Sequence, residues 1–172
     1  DITAGGAIDT IKQVTAIDNG IDVIKNFTSG TDKFVVSLGA YTSGTSTAHV
    51  FIAGGSSSHT ASTSSDAVSV VTATSSTMDS GAGFHVYSVL GTSYADVAAA
   101  LVPLKENLTL GAAPVANDDI TFLWTDGTNT WLSEVNIGGT NAALASDTLT
   151  ATNIVEFTGI TTLAGGSLVL IA

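Results

Sequence analysis

The run Asp22-Val23-Ile24-Lys25-Asn26-Phe27-Thr28-Ser29-Gly30-Thr31-Asp32-Lys33-Phe34-Val35-Val36-Ser37-Leu38 decides how this chain is read. Two short apolar stretches flank a Gly-Thr-Asp cluster, the signature of strands joined by a tight turn. Upstream, two segments share one pattern. Ala4-Gly5-Gly6-Ala7-Ile8-Asp9-Thr10-Ile11-Lys12 and Gly20-Ile21-Asp22-Val23-Ile24-Lys25 both contain small-x-Asp-x-Ile. A Gly/Asp turn followed by an inward apolar residue is the logic of a parallel β-roll. Turn carbonyls and carboxylates are hard oxygen donors, and Ca²⁺ takes six to eight of them at about 2.3–2.6 Å. The candidate calcium ligands are Asp9, Asp18, Asp22 and Asp32, with carbonyls near Gly5, Gly6, Gly20 and Gly30. The competing reading is that these Asp residues simply occupy turns, where Asp is favoured anyway.

Residues 22–38 resemble the segment that closes the calcium-binding roll in repeat-in-toxin (RTX) proteins exported by type I secretion. That family reads G-x-D-x-I-x-D-F, a short gap, then G-T-D-K-I-x-L-S. Here Asn26 replaces the Asp before Phe, Phe34 replaces the Ile after Lys33, and Ser37 and Leu38 are in reversed order. Four later features resemble the region after the repeats in RTX-type surface-layer (S-layer) proteins and adhesins. They are Ser93–Leu101, the stretch around Asp126-Gly127, the passage from Asp147-Thr148-Leu149 to Val155–Ile160, and the apolar Leu168–Ala172. The resemblance implies a secreted bacterial cell-surface protein without enzymatic activity. It also implies a C-terminal signal recognised by a type I ABC transporter, folding triggered by extracellular Ca²⁺, and self-association into a surface lattice. Two alternatives stand beside it: the RTX tail of a secreted hydrolase or adhesin, and a sugar- or haem-binding module.

Composition fits a secreted β protein and excludes other classes. Of 172 residues, 19 are Ser and 26 are Thr, with 18 Gly. Thr, Val, Ile and Phe favour strands, so the expected fold is mainly β, with parallel roll turns, then a β-sandwich-like sheet region and one short helix. The four basic residues are all Lys, against 15 acidic ones, for a formal net charge of −11. Such a chain is repelled by nucleic-acid phosphates and by anionic lipid surfaces. The absence of Cys excludes disulfides, zinc ribbons and thiol nucleophiles. No run approaches the roughly 18 apolar residues of a membrane-spanning helix. No cleavable N-terminal signal peptide is visible.

Two regions are expected: residues 1–38 as the roll or capping segment, and residues 39–172 as a β-rich domain carrying the export signal. In the second, Ala48–Ala53, Ala67–Ala73 and Phe84–Leu90 read as strands. Apolar residues on both faces of Phe84–Leu90 predict a central position. A helix is expected over residues 93–102, with Ser93 as N-cap and its end or a kink at Pro103, which has no N–H to continue the ladder. Residues 119–137 read as a hairpin with a two-residue Asp126-Gly127 turn, which pairs Phe122 with Trp131 and puts Val135 and Ile137 on the same face. Ile154–Phe157 and Leu168–Ile171 read as the last strands.

Other chemistry-bearing residues have plainer readings. Asp118, Asp119 and Asp126 lack the D-x-D-x-D-G spacing of a calcium loop and suit strand-edge and turn roles. His49, His59 and His85 accompany neither a G-x-S-x-G elbow nor H-E-x-x-H. Trp124 and Trp131 suit cross-strand packing better than ligand stacking. Asn26-Phe27-Thr28 and Asn107-Leu108-Thr109 match the glycosylation acceptor pattern, and the bacterial origin that the resemblance implies makes chance the better account.

Overall fold

The computed structural model describes residues 1–13, 20–37, 52–53, 66–72, 84–109, 118–141, 143–164 and 166–171. The fold is mainly β. Its strands are β1 (Ile2–Thr3), β2 (Thr10–Gln13), β3 (Asp22–Lys25), β4 (Lys33–Ser37), β5 (Ile52–Ala53), β6 (Asp66–Thr72), β7 (Phe84–Ser93), β8 (Asp118–Thr125), β9 (Thr130–Ile137), β10 (Leu149–Phe157) and β11 (Leu168–Ile171). One α-helix, α1, spans Val97–Asn107. The sheet runs β1-β3-β10-β9-β8-β7-β6-β11-β4-β2, and β5 pairs with β7.

The two ends of this sheet belong to the same three coils. β1 pairs in parallel with β3, and β3 with β10, so that Ile2, Ile24 and Phe157 form one row. β2 pairs in parallel with β4, and β4 with β11, so that Ile11, Phe34 and Leu168 form another. Successive strands therefore alternate between two sheets, as in a roll: β1 then β2, β3 then β4, β10 then β11. The first two coils repeat at 22 residues in one sheet, Ile2 to Ile24, and at 23 in the other, Ile11 to Phe34. The small-x-Asp-x-Ile segments supply β2 and β3, one for each sheet, and Ile11 and Ile24 are both buried. Between the sheets, Phe157 meets Phe27 at a ring separation of 5.0 Å and Phe34 edge-on at 5.5 Å. The third coil comes from far along the chain, so β10 and β11 bond across the line after residue 38.

β10 serves two cores. Along its first half Leu149, Ala151 and Asn153 pair with Ile137, Val135 and Ser133 of β9. The register then shifts between Asn153 and Val155, a bulge that turns the following side chains to the other face. Val155 and Phe157 thereby line the coil interior, while the first half faces the helix layer. In that layer Ala100, Leu104 and Leu108 pack with Val89, Ile120, Phe122, Trp124, Val135, Ile137 and Leu144. α1 lies between β7 and β8, which are parallel and need such a crossover. β7 sits between β6 and β8, in the central position its sequence predicts.

Two local expectations are corrected. The helix is capped by Asp96, not Ser93, with the Asp96 carboxylate accepting from the Ala99 N–H at 2.8 Å. It also continues through Pro103 to Asn107. An interior Pro costs about 3 kcal/mol, but fully burying Leu104 and Leu108 recovers roughly 1.5–3 kcal/mol for each. The hairpin loop has four residues, Asp126–Asn129, so that Trp124 pairs with Trp131 and Phe122 with Ser133. The shift is by two residues and leaves every side chain on its expected face, which is why Val135 and Ile137 share a side with Phe122. The two indoles stack at 5.6 Å with planes 12° apart. His85 is on β7, in register with Ile52 and Ser69, and Asp118 and Asp119 are on β8 opposite Ile137 and Asn136. His49 and His59 lie outside the described residues.

Phe157 on β10 touches Phe27 of the turn between β3 and β4 and Phe34 on β4 of the facing sheet, so its truncation tests the architecture directly. Phe157→Ala is expected to lower the unfolding free energy by about 3–5 kcal/mol, read from urea denaturation. A loss below about 1 kcal/mol would show that the two sheets do not depend on this contact.

Candidate functional site

Of the residues expected to hold calcium, the fold joins Asp9 and Asp32 most closely. β4 begins at Lys33, whose N–H donates to the Asp9 carbonyl at 2.8 Å. This places the Asp32 carboxylate at the junction of the first two coils. Its Oδ1 accepts from the Asp9 N–H at 3.0 Å and its Oδ2 from the Thr28 N–H at 2.7 Å. Asp32 is fully buried. The Asp9 and Thr28 amides, in that order, hold its carboxyl below its ordinary value of 3.8, and burial opposes them only in part. A carboxylate that accepts backbone N–H bonds is stabilised in its charged form.

The remaining candidates are dispersed. The Asp9 carboxylate accepts from the Gly5 N–H at 2.5 Å. Asp22 stands on β3 in register with Val155, on the face that Ile24 turns inward. Gly6 is exposed in the approach to β2. Gly20 and Gly30 have φ of +89° and +85°, a region L side chains rarely adopt. The Gly30 N–H donates to Ser167 Oγ at 2.7 Å, so it ties the turn to the third coil. Asp18 lies outside the described residues. Among the described residues, no three His, Cys, Asp or Glu side chains converge as a group able to hold a metal. The Asp32 oxygens face N–H donors, an environment that suits an anion and does not itself point to a cation.

Two further carboxylates do the same kind of work. Asp126 Oδ1 accepts from the Thr128 and Asn129 N–H groups at 2.8 and 2.7 Å. Its Oδ2 accepts from Trp131 Nε1 at 3.1 Å and Asn129 Nδ2 at 3.3 Å. Burial raises the Asp126 pKa, but the Asn129, Thr128 and Trp131 donors outweigh it and leave the carboxyl below 3.8. Thr125 Oγ1 donates to the Asn129 carbonyl at 2.7 Å and accepts from the Gly127 N–H at 3.0 Å, closing the loop. The loop is tied to the third coil as well, with the Gly159 N–H donating to Asn129 Oδ1 at 3.0 Å and Thr130 Oγ1 to the Ile160 carbonyl at 2.9 Å.

Asp147 is buried and accepts from the Asn141 N–H at 3.2 Å and Asn141 Nδ2 at 2.5 Å. A Cβ at Gly139 would stand 2.1 Å from Asp147 Oδ1, so any larger residue there would have to displace the Asp147 carboxylate. Sequence reading did not single out Asp147 as a buried carboxylate. The available signal was the Gly138-Gly139-Thr140-Asn141 cluster six residues ahead of it, a turn that needs an acceptor.

The common chemistry is carboxylate capture of loop amides, which fixes turns and joins coils. Among the described residues no helix is long and apolar enough to cross a membrane. No protein-family model, curated protein or solved structure matches the chain.

The lowered Asp32 and Asp126 values fix the sign of an acid effect. Below 3.8 the unfolded chain binds protons that the folded chain refuses, so stability falls as pH drops. The contribution is fully present at neutral pH and is expected to fade from about pH 5 downward. The Asp32→Asn and Asp126→Asn double variant is expected to melt lower at pH 7 and to lose less on acidification, measured by calorimetry from pH 7 to 3. An acid limb as steep as that of the parent chain would remove these two carboxylates as its source.

Proposed function

We propose that this chain is the non-enzymatic C-terminal folding, secretion and assembly module of a calcium-dependent, type I-secreted bacterial surface protein of the S-layer kind. One observation carries the reading. The third coil, β10 and β11, is braced on its far side by β9 and β6, whereas β1 and β2 bond on one side only among the described strands. The stack is therefore closed at one end and open at the other, the shape of a cap on which a longer roll terminates. The RTX resemblance of residues 22–38 supports the same reading. So does the chemistry of Asp32, Asp126 and Asp147, whose carboxylates hold loops.

Calcium enters through the acidic residues of the first coils. Asp9 and Asp22 are in or next to these coils and Asp18 lies between them in sequence, so a cation there would relieve repulsion among carboxylates in a chain of net charge −11. Millimolar extracellular Ca²⁺ would then favour the folded state by mass action, by about 2.7 kcal/mol at a hundredfold excess over Kd. The test is thermal melting in Ca²⁺, in Mg²⁺ and in chelator. A higher melting temperature in Ca²⁺ alone is expected. Identical melting in all three would retire the calcium part of the proposal.

A further inference from the structure

We infer that β11 is a latch, and that the first two coils have no stable fold until residues 168–171 are free to join them. The argument is topological. Among the described strands, β2 and β4 connect to the rest of the sheet only through β11, which bonds in parallel to β4 on one side and antiparallel to β6 on the other. Phe34 is in register with Leu168 and Ile24 with Phe157, each pair more than 130 residues apart in sequence. Without these partners, β1 to β4 make only two short parallel pairs among the described residues. Parallel pairing is the less stable kind per residue, and short isolated pairs are marginal in water.

The loop before β11 shows how the latch is fastened. Lys33 Nζ donates to the Gly166 carbonyl at 2.6 Å, and the Gly30 N–H to Ser167 Oγ at 2.7 Å. The Ala164 N–H donates to Ser29 Oγ at 2.7 Å, and the Phe34 N–H to the Ser167 carbonyl at 2.7 Å. These four bonds join residues 29–34 to residues 164–167, so the turn of the second coil is completed by the loop of the third. Leu168 and Ser167 are fully buried beside them. A chain whose residues 168–171 are held elsewhere, on a ribosome or in a translocating channel, thus keeps its first coils open although they were made first. The latch depends on strand pairing and these loop bonds and holds whether or not the chain binds calcium.

Pulse-labelled hydrogen exchange during refolding of the full chain tests this. Amides of β2 and β4 are expected to gain protection in the same kinetic phase as those of β11. Protection of β2 and β4 in an earlier phase overturns the inference. At equilibrium, Val169→Pro removes an N–H from the middle of β11 and is expected to bring β2 and β4 amides to the exchange rates of an unstructured chain while β8 and β9 stay protected. Protected β2 and β4 in that variant overturn it too, and if the variant unfolds completely the order of phases in the parent chain decides. Both measurements are made in chelator, so loss of the calcium proposal leaves their outcome untouched.

Discussion

One extra residue in β10 holds the molecule together. Asn153 and Val155 bracket a register shift against β9, and across it the strand exchanges the face it presents to each core. Before the shift β10 belongs to the helix layer. After it, β10 supplies Val155 and Phe157 to the coil interior. A strand of unbroken alternation could not do both, because its side chains keep to their own faces throughout. Ser133 marks the place: its hydroxyl accepts from Trp124 Nε1 at 2.9 Å and donates to Asn153 Oδ1 at 2.7 Å, so the polar atoms of three strands are satisfied beside the bulge. Buried polar groups arranged this way lock a register as well as stabilise it.

The coils were legible in the sequence because their signal is local. A Gly or Asp turn and an inward Ile two residues after the Asp are enough to identify β2 and β3. Their third member was not legible, since Val155–Phe157 and Leu168–Ile171 carry no turn pattern of their own and reveal only strand propensity. What makes them coil strands is pairing with residues more than 130 positions away. The hairpin shows the opposite limit. Its faces were readable from alternation, but its register was not, because Asp126 uses its side chain to imitate a backbone turn and so lengthens the loop by two residues. For α1 the local rule about Pro103 was sound and was outweighed by burial of the two leucines beyond it.

The acidic residues divide by what their oxygens face. Asp32, Asp126 and Asp147 are consumed by amide donors and act as parts of the backbone network. Composition could not separate these from carboxylates that remain available to solvent or to a cation, since an Asp in a turn looks the same in either role. The distinction is one of geometry, namely whether the loop leaves N–H groups pointing inward. It also explains why so acidic a chain closes its loops with few cations of its own: Lys25 pairs with Asp1 at 2.9 Å, and that ion pair is exposed.

The three coils are not consecutive, and that has a consequence for how such a chain can grow. Between the first and second coils the path returns from Gln13 to Asp22 in eight residues. Between the second and third it leaves at Ser37 and comes back at Val155, having built the entire helix layer on the way. In topology that layer is a side excursion from a single return loop. The added entropy of closing the longer loop is roughly 2 kcal/mol, because the cost rises only with the logarithm of length. That is smaller than the contribution of one well-buried phenylalanine. A roll of this kind is therefore an open frame, able to accept a folded insertion at a return loop while its inner rows of apolar side chains stay in step.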